Sequence, residues 1–136
     1  MELQVGVKIL LKNKDKKYLV VCRSVDKYPE VGAKWDIVGG RINPGFSLLE
    51  NLKREVMEEA GLEIIGETKL IDAQDIFKTD KHIVRLTYLG FADGVVNLSD
   101  EHSEYKWLNL EEISKLEPMD KYFKEVLSKI NRLEFL

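Results

Sequence analysis

A single cysteine, Cys22, is all the thiol chemistry in the 136 residues. That excludes an internal disulfide framework and a cysteine-rich zinc site. Cys22 lies in the apolar run YLVVCR and reads as a buried, inert thiol rather than a nucleophile. No apolar run approaches the roughly 18 residues a membrane-spanning helix needs, and the first residues carry no signal-peptide pattern. A basic excess is also missing. The net charge is −3, so the electrostatic footprint of a nucleic-acid binder is absent. The expectation is a cytoplasmic protein, monomer or homodimer, with neither nucleic acid nor membrane as partner. What is present is 44% apolar and 33% charged residues, an ordinary globular balance. The length suits one domain, residues 1–136, with a core large enough to need no staples.

One stretch organises the chain: residues 39–62, GGRINPGFSLLENLKREVMEEAGL. Pro44-Gly45 is a turn signal. Ser47 with Glu50 three residues later forms a capping box, in which hydroxyl and carboxylate each satisfy an orphan backbone N–H. Gly61 supplies the left-handed stop that only glycine adopts without penalty. The spacing predicts a helix over Leu48–Ala60. With Glu55 set at zero, Glu58 falls at about 300° and Glu59 at about 40° on the helical wheel. Three carboxylates therefore share one face. Leu48, Leu52, Val56, Leu49 and Ala60 fall between about 20° and about 140°, so Glu59 sits inside the apolar stripe and Glu55 on its edge.

Two readings compete for that face. An acidic cluster on a helix is ordinarily a solvated surface, and Glu58 beside Arg54 fits that description. Glu59 does not, because a buried carboxylate is costly unless it is paired or bound to metal. Clustered carboxylates repel one another, and a divalent cation removes the repulsion. Carboxylate and carbonyl oxygens are hard donors suited to Mg²⁺ or Mn²⁺.

The stretch resembles the Nudix box of the Nudix hydrolases, G-x5-E-x7-R-E-U-x-E-E-x-G-U with U apolar. Gly40 matches the first glycine, Arg54-Glu55-Val56 the R-E-U, Glu58-Glu59 the E-E pair and Gly61-Leu62 the end. The first Glu of the box is replaced by Phe46. The upstream GAKWDIVGG resembles the family's lead-in, with Val38 where proline is usual. The resemblance covers Val5 to Trp107. It implies an α/β/α sandwich with a mixed central sheet, and Mg²⁺-dependent cleavage of a pyrophosphate linkage by water attack on phosphorus. Glu55, Glu58 and Glu59, with the Gly40 carbonyl, would hold the metal. Glu55 would also be the first candidate for general base, with Arg54 orienting it.

The rest of the chain gives an α/β or α+β pattern on its own. Val5–Leu11 and Tyr18–Arg23 read as a hairpin, Trp35–Val38 as a short strand, and Leu62–Asp72 as a strand with a bend at Gly66. Lys81–Ala92 alternates as a strand, and Glu104–Leu108 is another. Asn109 and Asp120 cap two short helices. In the loop over residues 24–34, Lys27, Tyr28 and Lys34 could reach a ligand. Arg23 at a strand end could meet a phosphate, and Glu104 could be an accessory ligand or base, ahead of Glu101. Phe46 is expected to pack on its loop or on a substrate base. Phe77, His82 and Arg85 could line a base pocket, though Phe77 reads first as core and His82 and Arg85 as surface. No downstream proline signature of ADP-ribose-type substrates is found, which tilts the expected substrate toward a nucleoside triphosphate. The alternatives are a nucleoside diphosphate linked to another group such as a sugar, or a Nudix-fold binding module without turnover.

Overall fold

A computed structural model describes residues 1–27, 29, 30, 32 and 34–130; Tyr28 lies outside the described residues. Apolar side chains on successive strand positions point to opposite faces, and the first two strands show it. On β1 (Glu2–Lys12), Val7, Ile9 and Leu11 face one core while Leu10 faces another. On β2 (Tyr18–Arg23), Leu19 and Val21 join the first core and Tyr18, Val20 and Cys22 the second. A sheet buried on both faces must be covered on both. Helix α1 (Leu48–Ala60) covers the first face through Leu52, Val56 and Ala60. Helices α2 (Leu110–Ser114) and α3 (Lys121–Lys129) cover the second through Ile113, Phe123 and Val126. The result is an α/β/α sandwich.

The remaining strands are β3 (Trp35–Asp36), β4 (Val38–Arg41), β5 (Ile65–Phe77), β6 (Lys81–Phe91) and β7 (His102–Leu108). They complete a seven-stranded mixed sheet with the path β3-β2-β1-β6-β5, β7 pairing with β2 and β4 with β1. The β1–β6 pair is parallel over its whole length, from Glu2↔Lys81 to Lys12↔Phe91. On its other side β1 divides between two partners. It meets β2 at Lys12↔Tyr18, and β4 at Gly6↔Arg41 through Ile9↔Val38. A notch opens where these partners separate, and the carboxylate face of α1 looks into it.

The caps lie where the spacing places them. Ser47 and Glu50 make the reciprocal capping box of α1, and Gly61 ends it with φ of 66°. Asn109 and Asp120 cap α2 and α3 through their carboxamide and carboxylate oxygens. Gly66 (φ 72°) stands at a register shift between Ile65 and Lys69. Three details differ from the sequence pattern. β5 begins at Ile65 rather than Leu62, because Leu62 is drawn into the core beneath α1. Leu48 and Leu49 are exposed, since the first turn of α1 projects beyond the sheet. Asn51, polar, is buried in their place. Rotation of α1 is therefore set by Leu52, Val56 and Ala60. Burial of a Leu or Val side chain contributes about 1.5–3 kcal/mol, enough to hold Glu55 and Glu59 on the inner side.

Candidate active site

The notch is a cavity of about 410 Å³ lined by Lys8, Arg23, Gly39, Gly40, Arg41, Asn43, Arg54, Glu55, Glu59, Arg85, Glu101 and His102. Acid comes from the helix and the loop before β7, base chiefly from the strands. The floor is glycine for steric reasons. A Cβ on Gly39 (φ 151°) would overlap the Val7 carbonyl oxygen, and one on Gly40 would lie 2.8 Å from Glu55 Oε1. The Glu55 carboxylate thus packs directly on the Gly40 backbone. The Gly39 amide donates to Glu59 Oε2 at 3.3 Å.

Glu59 is 4% exposed. Burial pushes its carboxyl up to about 9; a hydrogen bond and the charge of Glu55, and the charge of Glu101, push the same way, while Lys8 opposes them. Lys8 is already committed. Its Nζ donates at 3.1 Å to Asp36 Oδ2 and to the Ile37 carbonyl. Asp36 stays below the usual carboxylate range although it is buried, because the charges of Lys8 and Arg85 and the Ile37 amide outweigh desolvation. His102 is pulled down to about 4 by burial first and then by Lys8, so its ring is neutral at pH 7.

Arg54 is a clamp. Nη1 donates to Glu55 Oε1 (2.9 Å) and Glu58 Oε2 (3.3 Å), and Nη2 to the Arg41 carbonyl (3.2 Å) and Asn51 Oδ1 (3.0 Å). Asn51 in turn accepts from the Asn43 amide and donates to the Phe46 and Ser47 carbonyls. One buried carboxamide thereby ties the loop to the helix and fixes the guanidinium. Across the cavity three arginines crowd together. Burial, then the charges of Arg85 and Arg23, hold the Arg41 guanidinium below its ordinary pKa. An anion is the ligand that relieves such crowding.

The NUDIX domain model matches residues 2–130. The chain belongs to the Nudix hydrolase family. Among proteins it is similar to, the nucleoside triphosphatase NudI of Salmonella agona (strain SL483) is 28% identical over 71% of this chain and 77% of the relative. The asymmetrical bis(5'-nucleosyl)-tetraphosphatase of Sus scrofa is 34% identical over 60% of each. The crystal structure of a MutT protein from Methanosarcina mazei Go1 superposes with a TM-score of 0.84 at 30% identity, covering 98% of this chain and 96% of that one. The shared shape extends over the whole mixed sheet and the helices on both its faces.

Within this Nudix fold the residues singled out from the sequence are distributed unevenly. Gly40, Arg54, Glu55, Glu59 and Arg23 line the cavity. Glu58 does not. Its side chain is 60% exposed and borders a smaller hollow with Glu55, Glu59, Ser99, Asp100 and Glu101. Phe46 is 61% exposed and stands in an adjoining hollow beside Asn43, Glu50, Asn51 and Arg54. Glu104 is outside the cavity. It pairs with Cys22, whose side chain faces the α2–α3 core, so strand alternation turns it away from the site. Glu101 and His102 reach the site instead, where the β2–β7 register shifts at Cys22/Arg23. Arg85 is half-buried rather than surface, bonded to Asp120 Oδ2 at 3.2 Å and set over the Tyr122 ring. Phe77, expected in the core, is 68% exposed and stacks on His82. Lys34 is exposed, and Lys27 pairs with Asp100 at the surface. Cys22 is buried, and burial pushes its thiol up. Among the described residues, no helix is long and apolar enough to cross a membrane.

Asn51, Lys8, Arg41 and His102 were not singled out from the sequence. The only sequence signal for them was a polar residue at an inward helix position, Asn51.

Proposed function

We propose that this Nudix hydrolase is a divalent-cation-dependent pyrophosphohydrolase of a nucleoside triphosphate, acting in the cytoplasm as a single domain over residues 1–136. The observation that carries the reading is the opposition of buried carboxylates to crowded arginines across one cavity. The relatives named as nucleoside triphosphatase and dinucleoside tetraphosphatase support a polyphosphate substrate.

Glu55 and Glu59, with the Gly40 carbonyl, would hold Mg²⁺ or Mn²⁺, and Glu58 would join from the exposed side. The donor set fits: all are hard oxygens, and Glu59 is a buried acid with no lysine or arginine paired to it among the described residues. When bound, such an ion neutralises phosphate charge and polarises the phosphoryl group. The protein's own residues do the rest. Arg23, Arg41 and Arg85 bind the phosphate chain and relieve their mutual repulsion. Gly39 and Gly40 let the chain lie against backbone. Arg54 fixes the Glu55 carboxylate, which takes the proton of the attacking water as the water oxygen bonds to phosphorus. The bond from phosphorus to the bridging oxygen breaks, and that oxygen leaves with the departing phosphate. A reaction run by positioned charge and proton transfer needs such pre-arranged groups more than any covalent intermediate.

The test is a screen for release of nucleoside monophosphate, resolved by chromatography together with its co-product, over nucleoside triphosphates and nucleoside diphosphate derivatives, with Mg²⁺ and with chelator. Chelator-sensitive release from a triphosphate is the expected result. Products from a diphosphate–sugar alone would move the substrate assignment. Silence across the screen would make the chain a binding module.

A further inference from the structure

His102 lines the cavity, yet the proposed reaction gives it no role. Its side chain is 7% exposed, and Nδ1 has no hydrogen-bond partner among the described residues. Nε2 lies 3.9 Å from Glu59 Oε1, too far for a hydrogen bond. Glu101 completes the group: Glu59, Glu101 and His102 each offer one donor atom, all within 4.8 Å of one another.

Charge pairing isolates this group from its neighbours. Glu55 has Arg54, and Asp36 has Lys8. Among the described residues, neither Glu59 nor Glu101 is paired with a lysine or arginine. Two buried or half-buried carboxylates are thus left facing a buried ring nitrogen. Unpaired buried polar groups are rare because each carries a desolvation cost. Of this group only His102 Nδ1 lacks a hydrogen-bond partner among the described residues, Glu59 accepting from the Gly39 amide; a cation would take a ring nitrogen as ligand and offset the charge of both carboxylates. Donors on bonds of about 2.1 Å are ~3 Å apart when adjacent and ~4 Å apart when opposite, so this group, within 4.8 Å, closes on one ion by a small rotation of its side chains.

We propose that His102, with Glu59 and Glu101, forms a mixed nitrogen–oxygen site that selects Mn²⁺ over Mg²⁺. This rests on the reading of Glu59 as a metal ligand. The selectivity is a matter of donor type. Mg²⁺ prefers oxygen and gives up water reluctantly. Imidazole nitrogen suits first-row transition ions, and affinity for a nitrogen-containing site rises along that row from Mn²⁺. The start of β7 thereby sets which metal the site takes, while Glu59 on the helix and Glu101 beside it supply the charge.

The experiment uses the full chain stripped of metal. Mn²⁺ affinity is read by EPR, Mg²⁺ affinity by calorimetry, and nitrogen ligation by pulsed EPR of the Mn²⁺-loaded protein. Wild type should bind Mn²⁺ at least roughly tenfold more tightly than Mg²⁺ and show ¹⁴N coupling. His102→Leu should lose the coupling and most of the preference while still binding both ions. If the variant does not fold, wild type labelled with ¹⁵N-histidine decides the matter, because the coupling must change isotope. The other of the two histidines, His82, is bonded to Asp75 and stacked on Phe77 away from the cavity. Mn²⁺ bound without nitrogen coupling overturns this inference and leaves the proposed function standing. Failure to bind either ion overturns both.

Discussion

Replacing Glu59 by Gln should stabilise the metal-free protein while removing its metal site. Glu59 ionises near 4.5 in an unfolded chain and near 9 in the metal-free fold. Between those values the folded state holds a proton that the unfolded state has released, so stability falls as pH rises. At pH 7 the environment is two and a half pH units above the ordinary value, and each unit is worth about 1.4 kcal/mol. Glu59 therefore costs the metal-free fold about 3 kcal/mol at pH 7 and about 1 kcal/mol at pH 5. Gln carries no such burden. Its carboxamide can still accept from the Gly39 amide and donate toward Glu55, replacing both bonds of the protonated acid. For a chain of this size the gain corresponds to a melting temperature higher by about 10 °C at pH 7. Urea and thermal unfolding of chelated wild type and Glu59→Gln from pH 5 to 8.5 measure it. Saturating Mg²⁺ or Mn²⁺ should then raise wild type, by about 3 kcal/mol at a hundred times Kd, and leave the variant almost unmoved. Parallel pH profiles for the two proteins, or a variant less stable than wild type at pH 8.5, would refute the reasoning.

Three other substitutions probe separate parts of the site. Arg54→Lys loses the bonds to the Arg41 carbonyl and Asn51 while keeping one charge; kcat should fall about 10–100-fold with little change in KM, and a pure KM effect would make Arg54 a substrate contact. Gly40→Ala places a methyl 2.8 Å from Glu55 Oε1, so metal affinity should drop with a stability loss of about 1–3 kcal/mol; an unchanged metal titration would contradict the packing. Phe46→Glu puts a carboxylate just before the positive end of α1, where it is favoured; kcat should rise and stability should stay within about 0.5 kcal/mol, whereas a faster wild type would make the exposed ring a stacking surface.

The helix was legible because its signals are local. A capping box, a glycine stop and an apolar stripe all act within a few residues, and they placed Leu48–Ala60 and the inward turn of Glu59. The apolar run of the second strand was legible too, and it put Cys22 in the core. What could not be read were the partners of those faces. Nothing in residues 2–12 and 81–91 states that they pair in parallel, since that register is fixed by tertiary packing. The same reason hid Glu101 and His102. Which residues of this segment reach the site depends on a shift of register at Cys22/Arg23, so Glu104 was ranked ahead of Glu101. Arg85 and Phe77 were misjudged from side-chain type alone. Arg85 is half-buried because Asp120 and Tyr122 receive it, and Phe77 is exposed because it sits at the tip of the β5–β6 hairpin.

Two structural sources supply the cavity. Its acids come largely from α1, a helix that fixes its own position through its caps and its three buried apolar residues. Three of its cations, Arg23, Arg41 and Arg85, come from three different strands, brought together only where β1 parts company with β2. These two sets of residues can therefore drift independently over evolutionary time. Exchanging a strand arginine would reshape what the site accepts without disturbing the helix proposed to hold the metal, so a lineage built on this fold can change diet and keep its teeth.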